Sequence, residues 1–415
     1  MSLSYRISRR LRLSKGASGR TGVAIAITGV ALALIVMELT LAVVVGFKEE
    51  IKRKLTGFDA QLTIAPAYSI GSGEELQAIT ADSTLYWHIR QALPENASID
   101  AALRMPGILK TDNDFEGAMF LARDPDGDFT FEKSHIVAGV WPDYSADSCR
   151  NHIVISESMA SSLGLAVGDK VYSTFVVNGA VKARRHTIAG LYRSDFGDYD
   201  RTVAYTSLDL LRSVASLSPV QAGRIEIRGL AGNLSDYAQA LQTTLLAAAS
   251  TGQLEGYYPV SCIEQTGAIY YNWLALLDTN VIVIFILMIA VASFTLVSSM
   301  FILILERVRT IGILRALGAG SSLVCDIFVH LSLRTVLIGL AIGNVAGIGM
   351  TLIQRTWHVV PLNPEMYYLS SVPATLEPWG LVALNVGVVA ISWLVLVVPA
   401  RLASRIDPAT AVKYE

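Results

Sequence analysis

The chain has 415 residues, 52% of them hydrophobic and only 16% charged, with 33 Lys or Arg against 35 Asp or Glu. It is more apolar than an ordinary soluble protein and long enough for more than one domain. A net charge of −2 gives no basic surplus for nucleic acid, but the charge is unevenly spread along the chain.

Residues 1–21 carry Arg6, Arg9, Arg10, Arg12, Lys15 and Arg20 with no acid among them. That is the signature of a cytoplasmic flank. Leu3, Ile7 and Leu11 are four apart, which suits either an amphipathic helix on the inner leaflet or a disordered basic tail. The apolar run over 22–47 is too long for a signal-peptide core and ends in no convincing cleavage site. Residues 22–46 are therefore expected to be a first membrane span. Glu38 interrupts it at a cost of ~2.5–3.5 kcal/mol on insertion scales, so it must face protein or a wet cavity. It either lines a substrate path or bridges spans as a structural hydrogen-bonding group.

Residues 47–278 form one external segment with 28 acids and 19 Lys or Arg. Its first turns, 48–55, should continue the helix of the first span. The pattern then turns mixed α/β. Strands are expected over 61–64, 115–122, 152–155, 169–177, 181–192, 201–205 and 224–228. Helices should begin at Asp82 or Ser83, Ser156, Ser207 and Ser235, the second ended by Gly164. Asn178-Gly179 is a strong hairpin signal. Cys149 and Cys262 fall in this segment and either pair, in an oxidising compartment, or stay as free buried thiols. Asp124-Pro-Asp126-Gly-Asp128 has its glycine misplaced for a calcium loop and no Glu at the twelfth position, and reads as an acidic turn.

Residues 268–278 should lead helically into a second span, 279–305, with Trp273 at an outer interface. Residues 306–322 follow with Arg307, Arg309 and Arg315 against Glu306 alone, the excess that keeps a short loop cytoplasmic. Ile311, Leu314 and Leu317 recur at helical spacing, and Gly318 suits the left-handed residue after a helix. The segment is either a lever for a soluble partner or an ordinary charged connector. The third span lies in 323–353. Its Gly339, Gly343 and Gly347 share a face and admit close approach of another helix, span four or another subunit, with packing inside the subunit favoured. Asp326, His330 and Arg334 also share a face, either a satisfied polar stripe or a proton relay. Residues 354–378 form a proline-rich external loop between Trp357 and Trp379. Residues 379–398 are a fourth span, and 399–415 return Arg401 and Arg405 to the cytoplasm.

The chain has no phosphate-binding Gly-x-x-x-x-Gly-Lys-Ser/Thr loop, no zinc spacing among its 6 histidines and no Gly-x-Ser-x-Gly elbow. Catalytic, cofactor and metal residues are all expected to be absent.

Three stretches resemble one family. The run from Glu306 through Ile311-Gly-Ile-Leu-Arg-Ala-Leu-Gly-Ala resembles the coupling-helix signature of the FtsX/MacB/Lol superfamily of ABC-transporter permeases. Gly46-Phe47, followed by Glu49, Glu50, Ile51 and Gly57, resembles the Gly-Phe element of lipoprotein-releasing permeases. Pro399-Ala-Arg-Leu-Ala-Ser-Arg-Ile-Asp-Pro-Ala resembles the family ending. Within 47–278, the runs from Val154 to Lys170 and from Gly190 to Asp200 resemble the family's periplasmic domain, with an inserted strand-rich portion over roughly 140–215.

The resemblance implies an α-helical membrane protein: four transmembrane helices plus a large extracytoplasmic mixed α/β domain of the MacB-like periplasmic core type between the first and second. It implies a bacterial inner-membrane location with both termini cytoplasmic. Glu306, Arg307, Ile311, Gly312, Arg315, Leu317 and Gly318 would couple to a separate ABC ATPase subunit that holds ATP and Mg. A second permease subunit, identical or not, would complete the transporter, and Met37, Glu38, Leu41 and Val44 would line a lipid-facing cavity. Lipoprotein cargo would pass to a periplasmic carrier. A MacB-like efflux permease, an FtsX-like regulator and a proton-driven carrier using Glu38 with Asp326, His330 and Arg334 are the rival readings. The large external segment counts against the regulator.

Overall fold

The computed structural model describes residues 17–66, 78–254 and 256–403. The expected amphipathic helix at Leu3, Ile7 and Leu11, and the tail beyond Ala403, lie outside the described residues. The chain divides into two compact units. One comprises 51–272 with 362–370, the other 273–361 with the chain before 51 and after 370.

Helix α1 (Ala17–Phe58) is unbroken through the division, which falls after Glu50. In the α/β unit, β1 (Leu62–Ile64) and β2 (Ile79–Thr80) precede α2 (Ser83–Ala92). Asp82 caps α2, its carboxylate accepting from Leu85 N at 2.8 Å. Next come β3 (Ser98–Lys110), β4 (Phe115–Arg123), α3 (Thr130–Ser134) and β5 (Ile136–Gly139). Then β6 (His152–Ser156) leads into α4 (Glu157–Leu163). The Ser156 hydroxyl accepts from Met159 N at 3.0 Å, and Gly164, at φ 63°, ends the helix. Strands β7 (Lys170–Val177) and β8 (Ala180–Tyr192) are joined through Asn178 and Gly179 at φ 49° and 72°, the paired positive values of a type I′ turn.

The strand expected from Arg201 starts later. Residues Gly197–Thr202 form α5, and β9 is Val203–Thr206. The cause is local: the Asp200 carboxylate accepts from Ser194 N at 3.0 Å and Ser194 Oγ at 2.6 Å, and Ser156 Oγ donates to the Asp200 carbonyl. Such side-chain bonds draw the backbone into a turn instead of a ladder. Helix α6 (Leu208–Ala215) has Ser207 at its N-cap without a capping bond from the hydroxyl. Strands β10 (Gln221–Ala222) and β11 (Arg224–Arg228) precede α7 (Leu234–Ser250), which starts one residue before the expected Ser235 and is capped by Asn233. Strand β12 (Val260–Cys262) and α8 (Ile263–Thr266) complete this run. Cys149, Cys262 and Cys325 are free, so the considered Cys149–Cys262 pairing is not formed.

Strand β3 organises the sheet. Its first residues pair with β11, which continues through β1 to β12 as an antiparallel wing. Its later residues pair with β4 on one side and β7 on the other. From β4 the ladder passes to β9, β6 and β8, and β8 returns to β7. Strands β3, β4, β9, β6, β8 and β7 thus close into a ring, which removes the exposed edges of those strands. Pro106 and Gly107 sit where β3 has left β11 and not yet met β7, so an interrupted ladder tolerates them. A side chain at Gly107 would press on the Phe120 and Phe175 rings. Those rings meet edge-on at 4.7 Å, and His186 stacks on Phe120 at 6.3 Å. Full burial of each Phe contributes about 2–3 kcal/mol.

In the helical unit, α9 (Ala268–Glu306), α10 (Val308–Ala316), α11 (Ser321–Trp357) and α13 (Pro378–Ala403) follow, with α12 (Pro364–Tyr367) belonging to the α/β unit. Helices α1, α9, α11 and α13 are each long and apolar enough to cross a membrane. The chain is a four-span membrane protein whose mixed α/β domain, an extracytoplasmic one, lies between the first and second spans.

Candidate functional site

The loop 306–320 folds as a short helix between two turns. Arg307 N bonds Ile304 O at 3.0 Å as α9 ends, and α10 starts at the next residue. Ala319 N reaches Leu314 O and Gly318 N reaches Arg315 O, each at 3.0 Å, with Gly318 at φ 90°. That bond pair is a Schellman motif, and it requires the left-handed residue that glycine supplies. Leu317 therefore lies past the last helical turn and does not extend the stripe of Ile311 and Leu314. Ile311 is fully buried against the membrane helices, and Gly312 is buried beside it. Ile313 is 51% and Leu317 80% exposed, with Glu306 and Gly318 also exposed and Arg307 and Arg315 half-buried. One face of this hairpin is anchored in the bundle and the other presents apolar surface between charges.

The glycines of α11 pack on span one, not span four. Side chains added at Gly339, Gly343 and Gly347 would meet Val30, Leu34 and Glu38 of α1 in turn. Both series step by four, so the two helices run in register along a seam of small residues. Span four holds another face of α11 through Asn344 and Asn385, whose amides exchange hydrogen bonds at 2.8 and 2.9 Å. Met37 and Glu38 are each 1% exposed inside this bundle, while Leu41 and Val44 are half-buried. Neither Glu38 oxygen has a hydrogen-bond partner among the described residues. His330 gives its Nδ1 to the Asp326 carbonyl at 2.6 Å, so the backbone and not the Asp326 carboxylate takes that bond. Near the outer end of α1, Lys48 pairs with Asp278 of α9 at 2.7 Å and Phe47 meets Trp273 edge-on at 5.5 Å. Gly46 has no room for a side chain, because the backbone at Pro373 and Thr375 passes against it.

The last turn of α1 is held within the α/β unit by charges that sequence reading missed. Arg228 Nη1 donates to the Gly57 and Asp59 carbonyls at 2.9 and 3.1 Å, a cation placed where a helix end is negative. The Asp59 carboxylate takes Arg104 and, at 3.1 Å, Arg224. Glu226, buried, is shared by Arg104, Arg224 and Arg228. Burial alone pushes the Glu226 carboxyl up, but Arg104, Arg228 and Arg123 outweigh it and hold it below the usual range. Phe58 sits among Phe131, Tyr199 and His135 at 4.9–5.0 Å. Lys54 Nζ donates to Ser194 O at 2.7 Å and to Tyr368 O, beside α12, at 3.1 Å. The signal was present in β11, where Arg224, Glu226 and Arg228 alternate with Ile225 and Ile227. Charges on one strand face opposite a buried apolar face ask for partners of their own.

Comparison with known proteins fits this architecture. The family described as MacB-like periplasmic core domain matches residues 23–245, more than half of the chain, and FtsX-like permease C-terminal matches 282–408. The lipoprotein-releasing system transmembrane protein LolC of Xylella fastidiosa (strain Temecula1) is 25% identical over 406 residues, covering 94% of this chain and 93% of that one. Its Neisseria meningitidis serogroup B namesake is 24% identical over 420 residues, covering 94% of each. LolE of Haemophilus influenzae is 25% identical over 273 residues, 62% of this chain and 63% of that one. With a MacB-like periplasmic core between its first two spans and an FtsX-like C-terminal region, this chain belongs to the FtsX/MacB/Lol superfamily of ABC-transporter permeases.

Proposed function

We propose that the chain is the transmembrane subunit of a lipoprotein-releasing ABC transporter of the bacterial inner membrane, has no catalytic activity of its own, and works by passing force across the bilayer. The observation that carries this reading is the two-sided hairpin at 306–320. Ile311 and Gly312 anchor it in the bundle, and Glu306, Arg307, Arg315, Leu317 and Gly318 present the surface that an ABC ATPase would grip. ATP and Mg belong to that ATPase. Both termini and α10 lie in the cytoplasm, in keeping with the arginines that flank spans one, two and four.

In this mechanism ATP binding moves α10, and the motion travels along α1 and α9, each unbroken between the two units. A second permease subunit, identical or not, faces the first. The acyl chains of the cargo enter from the outer leaflet between spans one and two. The exposed apolar surface of α9 at Ile282 and Ile286, in the outer half of span two, suits that contact. Leu41 and Val44 are the half-buried candidates for the cavity wall. Met37 and Glu38 are packed inside one subunit and would reach cargo only if the α1–α11 seam opened. The periplasmic domain then hands the lipoprotein to a soluble carrier, so the cargo never crosses the bilayer.

The test is a pull-down from gentle detergent. Arg315→Glu combined with Leu317→Asp, both on the outward side of the hairpin, should abolish recovery of the ATPase while membrane insertion is unchanged. Undiminished ATPase recovery from that double variant removes the coupling assignment. Depleting the chain should trap outer-membrane lipoproteins in the inner membrane, and normal lipoprotein sorting on depletion removes the cargo assignment.

A further inference from the structure

Three segments of the chain pass between the helical unit and the α/β unit: α1, the first turns of α9, and the loop that joins spans three and four. Inside the α/β unit all three meet on one short stretch after β8, residues 194–196. Lys54 of α1 is buried there, donating to the Ser194 and Tyr368 carbonyls at 2.7 and 3.1 Å and lying 3.7 Å from the Asp195 carboxylate. Tyr368 of the loop stacks on buried Phe196 at 4.5 Å. Tyr270, near the start of α9, meets Phe196 edge-on at 5.1 Å and Tyr368 at 6.0 Å. The stretch is itself held by the Asp200 carboxylate, which accepts from Ser194 N and Oγ. A buried ammonium is costly unless it is bonded, so these contacts make a specific join.

The loop is a bonded hairpin. Leu362 N bonds Ser370 O at 3.0 Å, Val372 N bonds Val360 O at 3.1 Å, and Pro361 bridges Ser371 between them. Gln354, in the last turn of α11, closes the base: it accepts from Val360 N at 3.1 Å and donates to Val372 O at 2.9 Å. Tyr368 holds φ 61°, a backbone that an aromatic residue adopts only where its surroundings impose it. In the helical unit, Thr375 N bonds Ala42 O of α1 at 3.0 Å, beside the bare Gly46. An ordinary connecting loop is more mobile and makes fewer such bonds.

The order of elements gives this join a use. Helix α10, assigned above to the ATPase, turns at Gly318 into α11, and α11 runs unbroken to Trp357, where the hairpin begins. We infer that the hairpin over 358–372 is a third force-bearing link, running from α10 through α11 to the α/β domain and buckled there by Lys54, Phe196 and Tyr368. Coupling needs a contiguous set of packed and bonded groups, which the paired arms and the stacked rings supply. Lys54 and Tyr368 are positioning residues in this scheme and touch neither cargo nor ATPase. The inference rests on the coupling reading of α10 and adds a path beside α1 and α9.

The experiment uses the full chain co-purified with its ATPase in gentle detergent, nucleotide-free and trapped with ATP, Mg and vanadate. Amide hydrogen exchange is followed at residues 194–200 and 362–370. In the parent, trapping should change exchange at both segments together. Tyr368→Ala removes the ring and keeps the carbonyl, and Lys54→Met removes the ammonium and keeps the length. Each should reduce the change at 194–200 about twofold or more, with ATPase recovery as in the parent. Tyr368→Phe keeps the stack and should respond like the parent. Gln354→Leu, at the foot of the hairpin and away from the buckle, should weaken the response in the same way, so the test stands if a buckle variant fails to fold. An undiminished response at 194–200 in the folded variants overturns the inference, as does a parent that responds at 194–200 but not at 362–370. A parent that brings down no ATPase removes the coupling reading and this inference with it, a failure distinct from the other two.

Discussion

At the residue scale the α/β domain is defined by charges taken out of water. Arg123 and Glu132 form a buried pair at 3.0 Å. Burial raises the Glu132 carboxyl, and Arg123 is the largest influence opposing it. Arg123→Met alone should destabilise the domain by about 3 kcal/mol, because the carboxylate is left without its cation. Adding Glu132→Leu should recover most of the loss, as read from denaturant unfolding of the two variants. His186 makes a second, pH-dependent prediction. It is 1% exposed, with Nε2 bonded to Ser173 Oγ at 2.6 Å, and burial, aided by Arg184, pushes its pKa down to about 4. Between that value and the unfolded value near 6.5 the unfolded chain binds the extra proton. The neutral ring's contribution is therefore complete above about pH 6.5 and is lost as the pH falls towards 4, in total about 3 kcal/mol. Melting the full chain from pH 7 to 4 should show this slope, and His186→Asn should flatten it relative to the parent.

At the element scale the decisive contact is the seam between α1 and α11. Three glycines of α11 face Val30, Leu34 and Glu38, and a methyl at Gly347 would overlap the Glu38 carboxylate. Gly347→Ala should cost about 1–3 kcal/mol through overpacking. Glu38→Ala in the same chain should restore thermal stability in detergent, since it vacates the space. A non-restoring double variant would show that the seam is not where the strain arises. Sequence periodicity identified the glycine face but not its partner. Span one carries Glu38 and span four Asn385, one polar mark each on otherwise apolar helices, so the sequence does not say which of the two the glycines meet. Helix α10 shows the same limit. Its glycine stop at Gly318 follows from local backbone chemistry and was legible. That Leu317 leaves the stripe and faces outward follows from the Schellman turn.

At the scale of the whole molecule, the proposed coupling role needs a grip for the ATPase and an external domain, and α10 and the α/β domain are the parts that the proposal assigns to them. Charge-reversed α10 should lose the ATPase while the external domain stays folded, which circular dichroism and pull-down together would check. The sequence by itself determined the four spans, their flanking arginines, the hairpin at Asn178-Gly179, the cap at Ser156, a cap at Asp82 or Ser83 and the absence of a nucleotide loop. Each depends on interactions within a few residues, or on bilayer thickness, and leaves a local mark. Only the tertiary structure decided that six strands close into a ring, that Pro106 and Gly107 are admitted in a gap of the β3 ladder, and that Arg104, Arg123 and Arg228 converge under Phe58. These join residues far apart in the chain, and what fixes them is three-dimensional: which backbone is left unpaired, and which buried charge finds a partner.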